Sequence, residues 1–161
     1  MIAGATRPSP GDILLFRDPR GPGALVSFVT RSPYYHVAIA ASDGQLIEAM
    51  PNGVQLSRLD SKEGETIVVI PAPSKSAALV AYEWAKSKIG DGYDPTAVLA
   101  IALERTFRNL HLNYTIGDRF TCGEFVATAF HEAGHSLFPD LDLEDVVPAD
   151  FERLLPEHDV G

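Results

Sequence analysis

The chain has a single cysteine, Cys122. No internal disulfide can form, so nothing in the sequence demands an oxidising compartment. Clusters of basic residues are also missing. The 13 Lys and Arg are outnumbered by 22 Asp and Glu, for a formal charge of −9, which makes a nucleic-acid phosphate backbone an unexpected partner. The same charge is repelled by anionic membrane surfaces. The longest apolar stretch, Ala97 to Leu103, falls far short of the roughly 20 residues that cross a bilayer, so stable membrane insertion is not expected. Met1 to Pro10 has no basic segment followed by an apolar one, and no signal peptide is read there. The expected location is the cytoplasm, or delivery by a route without a signal, such as a phage particle. There is no Gly-rich phosphate loop, nucleotide fingerprint, internal repeat or low-complexity tract. No cofactor is expected, and the oligomeric state is left open.

What is present suits one globular domain over residues 1–161. The hydrophobic content of 45% is enough to build a core in a chain of this length. Asp12 to Phe16 reads as a strand after the Pro8-Ser9-Pro10-Gly11 turn, and Asp18 to Gly23 as a loop. Ala24 to Thr30 is ambiguous. His36–Ala41 and Gln45–Met50 flank Ser42-Asp43-Gly44 and form the clearest hairpin. Gly53–Ser57 and Thr66–Pro71 are further strand candidates. From Ser74 to Gly90 the pattern turns helical, with Ala78, Val80, Ala81, Trp84, Ala85 and Ile89 as the apolar stripe. Asp94-Pro95 opens another predicted helix to about Arg108. The acidic run Asp140 to Asp145 reads as a solvated face, and Pro148 to Phe151 as a short terminal helix. Strands first, helices after, and short strand connections predict an α+β domain around a largely antiparallel sheet.

Cys122 sits where a polar turn becomes an apolar helical run: Phe125, Thr128 and Ala129 recur at helical spacing from it, and Val126 and Phe130 widen the stripe. Thr121 is placed as N-cap, and Glu124 three residues on completes a capping-box pattern. The thiol is thus predicted in the first turn of a buried helix, where free backbone N–H groups and the helix dipole favour a thiolate. A helix end follows at Gly134, with Pro139 beyond.

A nucleophilic cysteine needs a base, and the base needs a residue to orient it. Of the five histidines, His36 opens a predicted buried strand. Glu48 lies within the apolar run Leu46-Ile47-Glu48-Ala49-Met50, and burying a carboxylate costs several kcal/mol unless it is paired. The turn decides whether the two can meet. A two-residue Asp43-Gly44 turn puts Glu48 on the face opposite His36. A three-residue Ser42-Asp43-Gly44 loop with Gly44 left-handed sets Ala41 opposite Gln45 and Ala38 opposite Glu48. His36 and Glu48 are then diagonal neighbours on one face. The three-residue loop is the expected one. Ala38 and Ala40 would share that face and let the Cys122 helix approach closely.

Gly11-Asp12-Ile13-Leu14, Ser32-Pro33-Tyr34-Tyr35-His36-Val37-Ala38-Ile39, Leu46-Ile47-Glu48-Ala49 and Phe120-Thr121-Cys122-Gly123-Glu124-Phe125-Val126 together resemble the circularly permuted branch of the NlpC-type papain-like superfamily. That branch includes the YiiX-like proteins and, more distantly, lecithin–retinol acyltransferase. The resemblance implies a permuted papain-like fold, an antiparallel sheet or half-barrel packed on helices. It also implies a cysteine hydrolase or transferase, with Cys122 as nucleophile, His36 as base and Glu48 orienting the imidazole. Tyr93, in Gly90-Asp91-Gly92-Tyr93-Asp94, would line the site with Tyr35 and Thr121 as substrate-binding residues. A small peptide or acyl substrate, such as a cell-wall peptide, would be attacked to give an acyl-thioester. The likeness runs from roughly Gly11 to Leu154 and rests on the order and spacing of its parts. Gly123 stands where Ser is common, and Thr106 to Asp118 matches no part of the pattern.

His131-Glu132-Ala133-Gly134-His135 also satisfies the H-E-x-x-H pattern of zinc peptidases. That chemistry needs both histidines one turn apart on a continuing helix, and a third ligand elsewhere. Gly134 argues for a helix end, and the third-ligand candidates, Glu144, Glu152 and His158, sit in short Pro-punctuated segments. A zinc peptidase is therefore the alternative reading, and a non-catalytic binding module on the same fold is a third.

Overall fold

The computed structural model describes residues 2–3, 7–17, 31–62, 64–93 and 119–155. The predicted helix from Asp94 to Arg108, the ambiguous segment Ala24 to Thr30, His111 and His158 lie outside them. In chain order the strands are β1 (Ile2–Ala3), β2 (Ile13–Arg17), β3 (Tyr34–Ala40), β4 (Gln45–Met50), β5 (Gly53–Arg58), β6 (Thr66–Ile70), β7 (Gly92–Tyr93) and β8 (Arg119–Phe120). Among the described residues the α-helices are α1 (Lys75–Ser87) and α2 (Cys122–Glu132), and 3-10 turns cover Ser42–Gly44, Leu59–Lys62, Leu143–Asp145 and Pro148–Leu154. The fold is mixed α+β.

The main sheet has the order β1-β6-β2-β3-β4-β5. Its β6-β2-β3-β4-β5 part is antiparallel, and β1 adds to the edge in parallel with β6. The central strands are continuous apolar runs because both faces of the sheet are covered. On one face Ile13, Leu15, Val37, Ile39, Ile47, Ala49, Val68 and Ile70 pack with both helices. On the other, Leu14, Phe16, Ala38, Ala40, Leu46 and Ile67 form a smaller cluster beneath Tyr35, Leu59 and Val69.

The hairpin closes as a three-residue loop. Ile39 pairs with Ile47 and Ala40 with Leu46, and the Ala41 N–H donates to the Gln45 carbonyl at 2.9 Å. Two residues, Asp43 (φ 57) and Gly44 (φ 70), take the left-handed conformation rather than Gly44 alone. Asp is among the few L-residues that tolerate it.

Helix α1 starts where Ser74 accepts from the Ala77 N–H. Its buried face is Ala77, Ala81 and Ala85, at i,i+4 spacing, while Val80 and Ile89 are 45% and 42% exposed. The expected stripe was therefore too wide. Three alanines present a flat face to the sheet and α2, and a larger apolar side chain beside them is left outward.

Helix α2 has the predicted capping box: Thr121 Oγ1 accepts from the Glu124 N–H at 3.1 Å, and Glu124 Oε2 accepts from the Thr121 N–H at 3.3 Å. It ends before Gly134 (φ 76), whose N–H donates to the His131 carbonyl while His135 N–H donates to that of Phe130, a Schellman closure. Trp84 from α1 packs against Phe120 and Phe125 at 5.7 and 5.6 Å between ring centroids, tying α1 to the start of α2.

The first turn of α2 is pressed against the chain after Asp145. A Cβ on Gly123 would stand 2.1 Å from the Val146 carbonyl oxygen and 2.9 Å from the Val147 Cα. Backbone occupies the space that a side chain would need. Gly123→Ser is expected to lower unfolding stability by about 1–3 kcal/mol, read as a reduced urea midpoint. An unchanged midpoint would contradict the close approach.

Candidate active site

Glu48 is wholly buried, and His36 is 9% exposed. On β4 Leu46 faces the smaller cluster and Ile47 the helix side, so alternation puts Glu48 on the side of Phe16 and Ala38. His36 joins it there: its Nε2 lies 2.8 Å from Glu48 Oε2, and its ring is 5.2 Å from that of Phe16. The three-residue loop thus brings together the two residues that its parity was expected to join.

The structure corrects one expectation. Ala38 and Ala40 share the His36 face, but α2 does not pack on them. Its residues Phe125, Val126, Ala129 and Phe130, and Cys122 itself, belong to the cluster of Val37, Ile39, Ile47 and Ala49 on the opposite face. Period-2 alternation tells which residues share a face and leaves unsaid which face a helix will cover. The ring and the thiol nonetheless come within mutual influence near the start of β3. There the pairing with β2 is irregular: Phe16 pairs with His36 and Arg17 with Tyr34, leaving Tyr35 as an extra residue. A bulge of this kind re-aims the side chains beside it.

The electrostatics of the group follow from its burial. For His36, burial is the largest single influence and lowers the pKa. Hydrogen bonding to Cys122 and then to Glu48, with the Coulombic pull of both, outweighs it and raises the value from 6.5 to about 9. For Glu48, burial opposes the charge, but the hydrogen bond and charge of His36, the nearby Ser57 hydroxyl and the Lys62 ammonium bring it from 4.5 to about 2. Near neutral pH the pair is therefore an imidazolium against a carboxylate. With Nε2 directed at Glu48, Nδ1 is the ring nitrogen left for the thiol.

Of the other expected site residues, Thr121 caps the helix that begins at Cys122 and is 3% exposed. Tyr35 stands beside the His36 ring, at 6.3 Å between centroids, and donates its hydroxyl to Glu65 Oε2 at 2.6 Å. Burial and the negative charges of Glu65 and Glu48 push that hydroxyl well above its ordinary pKa of 10. The backbone of Tyr93 pairs with Phe120, two residues before Cys122, and its side chain lies outside the described residues. His131 is in the last turn of α2 and His135 follows the reversal at Gly134. The helix that a zinc-binding H-E-x-x-H pair requires has ended between them, and among the described residues no three His, Cys, Asp or Glu side chains are grouped to hold a metal ion.

Lys62 is the residue that sequence reasoning missed. Its Nζ lies 3.0 Å from Glu48 Oε2. It belongs to the polar run Asp60-Ser61-Lys62-Glu63, which reads as a solvated loop. The usable signal was Glu48 itself, since a buried acid calls for cationic partners.

No protein-family profile matches the chain, and no curated protein matches it. Among the described residues, no helix is long and apolar enough to cross a membrane.

The pKa directions fix a pH window. His36 is raised on folding, so its contribution is complete below 6.5 and is lost as pH rises through about 9. Glu48 is lowered, so its contribution is complete above 4.5 and is lost as pH falls toward about 2. The stability advantage of the wild type over a Glu48→Gln variant, from thermal midpoints across pH, is expected to peak between 4.5 and 6.5. An advantage that keeps growing above pH 9 would refute this assignment.

Proposed function

We propose that the chain is a cysteine hydrolase or acyltransferase of the permuted papain-like, NlpC-type class, acting through an acyl-thioester on Cys122. The observation that carries this reading is the buried pair itself: His36 Nε2 is 2.8 Å from a fully buried Glu48 carboxylate, and Cys122 at the start of α2 is near enough to raise the pKa of the same ring. The order histidine, acid, cysteine supports it, as does the capped, buried start of α2.

In the proposed reaction His36 holds the thiol's proton and Glu48 fixes the ring. The sulfur attacks the acyl carbon of a peptide amide or an acyl ester. The backbone N–H of Cys122, one of the unpaired donors of the first helical turn, stabilises the oxyanion. As the carbon–leaving-group bond breaks, His36 delivers its proton to the departing nitrogen or oxygen. Water, deprotonated by His36, then cleaves the thioester and returns the proton and the free sulfur; another acyl acceptor in place of water gives transfer.

The test uses p-nitrophenyl acetate as a generic acyl donor, with intact-mass detection. An acetyl group is expected on Cys122 in the wild type and none in Cys122→Ala. The acetylation rate is expected to fall about 100- to 10,000-fold in His36→Ala. Equal rates in His36→Ala and wild type would sink the proposal.

A further inference from the structure

The buried carboxylate has a second cation that the Cys–His–Glu scheme does not use. Glu48 Oε2 receives His36 Nε2 at 2.8 Å and Lys62 Nζ at 3.0 Å, while Oε1 is buried with no hydrogen-bond partner among the described residues. Both cationic partners of this carboxylate therefore converge on one oxygen. The Lys62 side chain is only 15% exposed, with Nζ 5.8 Å from the centroid of the Phe16 ring, the ring that also contacts His36. A lysine on a mobile surface loop would keep its ammonium in water. This one is turned inward by the Leu59–Lys62 3-10 turn, whose Leu59 packs on the same small cluster.

We propose that Lys62 is a positioning residue of this site, anchoring Glu48 Oε2 and sharing its charge with the His36 imidazolium. This rests on the reading of His36 as the base of Cys122. Two cations compete for one oxygen, so each weakens the hold of the carboxylate on the other. Lys62 thereby limits how tightly His36 keeps its proton, and it fixes the oxygen toward which Nε2 points. The groups facing the pair are Phe16 from β2, Tyr35 with its Glu65 partner beside β3, Gln55 and Ser57 from β5, and Cys122 from α2. None of these described groups is a lysine or arginine, so Lys62 brings the second basic side chain to the carboxylate.

The two nitrogens share an oxygen, so they stand no more than about 5.8 Å apart, and an effective dielectric of about 20–80 makes their repulsion worth about 0.5–2 pH units on His36. His36 is titrated through its ring resonances by NMR in the wild type, Lys62→Met and Lys62→Arg. Lys62→Met is expected to raise the titration point by about 0.5–2 units, and Lys62→Arg, which keeps the charge, to restore it. The alkaline limb of Cys122 acetylation by p-nitrophenyl acetate is expected to move in the same direction. If Lys62→Met does not fold, Lys62→Gln carries the same comparison. A His36 titration point unchanged by the loss of the lysine charge, or left shifted by Lys62→Arg, overturns the proposal. The NMR readout needs no turnover. A shifted His36 without acetyl-Cys122 keeps the Lys62 role and removes the hydrolase, whereas normal acetylation with an unshifted His36 does the reverse.

Discussion

A carboxylate with no exposure to water sits in the middle of strand β4, and the rest of the site is arranged to satisfy it. An isolated charge there would cost many kcal/mol and would be quenched by protonation. Glu48 instead stays ionised because an imidazolium and an ammonium both reach its Oε2. Each of those contacts imposes a condition on the backbone. His36 requires the Ser42–Gly44 loop to have odd length, and Lys62 requires the chain after β5 to fold back as a 3-10 turn. The histidine's elevated proton affinity is the other side of the same balance.

The sheet separates two jobs. Its helix-bearing face supplies the bulk of the core: a flat alanine strip on α1, the Trp84–Phe120–Phe125 ring cluster, and the apolar side of α2. Its other face is small and carries the charged group, walled by Phe16, Tyr35 and Leu59. Cys122 belongs to the first side and His36 to the second.

Much of this was legible in the sequence where local rules decide. The hairpin register followed from strand alternation and the choice of loop, and the start of α2 from Thr121-x-x-Glu124. Gly134 marked the end of that helix and so disarmed the His131/His135 motif. What was not legible depended on long-range packing. Alternation grouped His36 with Ala38 and Ala40 but could not say that α2 would cover Val37 and Ile39 instead. The helical stripe of α1 overreached to Val80 and Ile89, because hydrophobicity alone does not reveal that a close sheet contact selects alanine. Strand β1 pairs with a segment more than 60 residues away through two residues, too few to carry a periodic signal. Lys62 was hidden by polar neighbours that resemble any surface loop.

Gly123 stands where the resembling family often has serine, and here the Val146 carbonyl fills the space of that missing side chain. The wall beside the first turn of α2 is thus made by main chain from the last fifth of the sequence, held by Val146, Val147 and Phe151 in the core. Backbone cannot be trimmed by a point substitution as a side chain can. Variation in the Leu143–Phe151 segment therefore acts on the position of Cys122 as a lever acts on its fulcrum. Natural or designed changes there shift the start of α2 through its contact with Gly123.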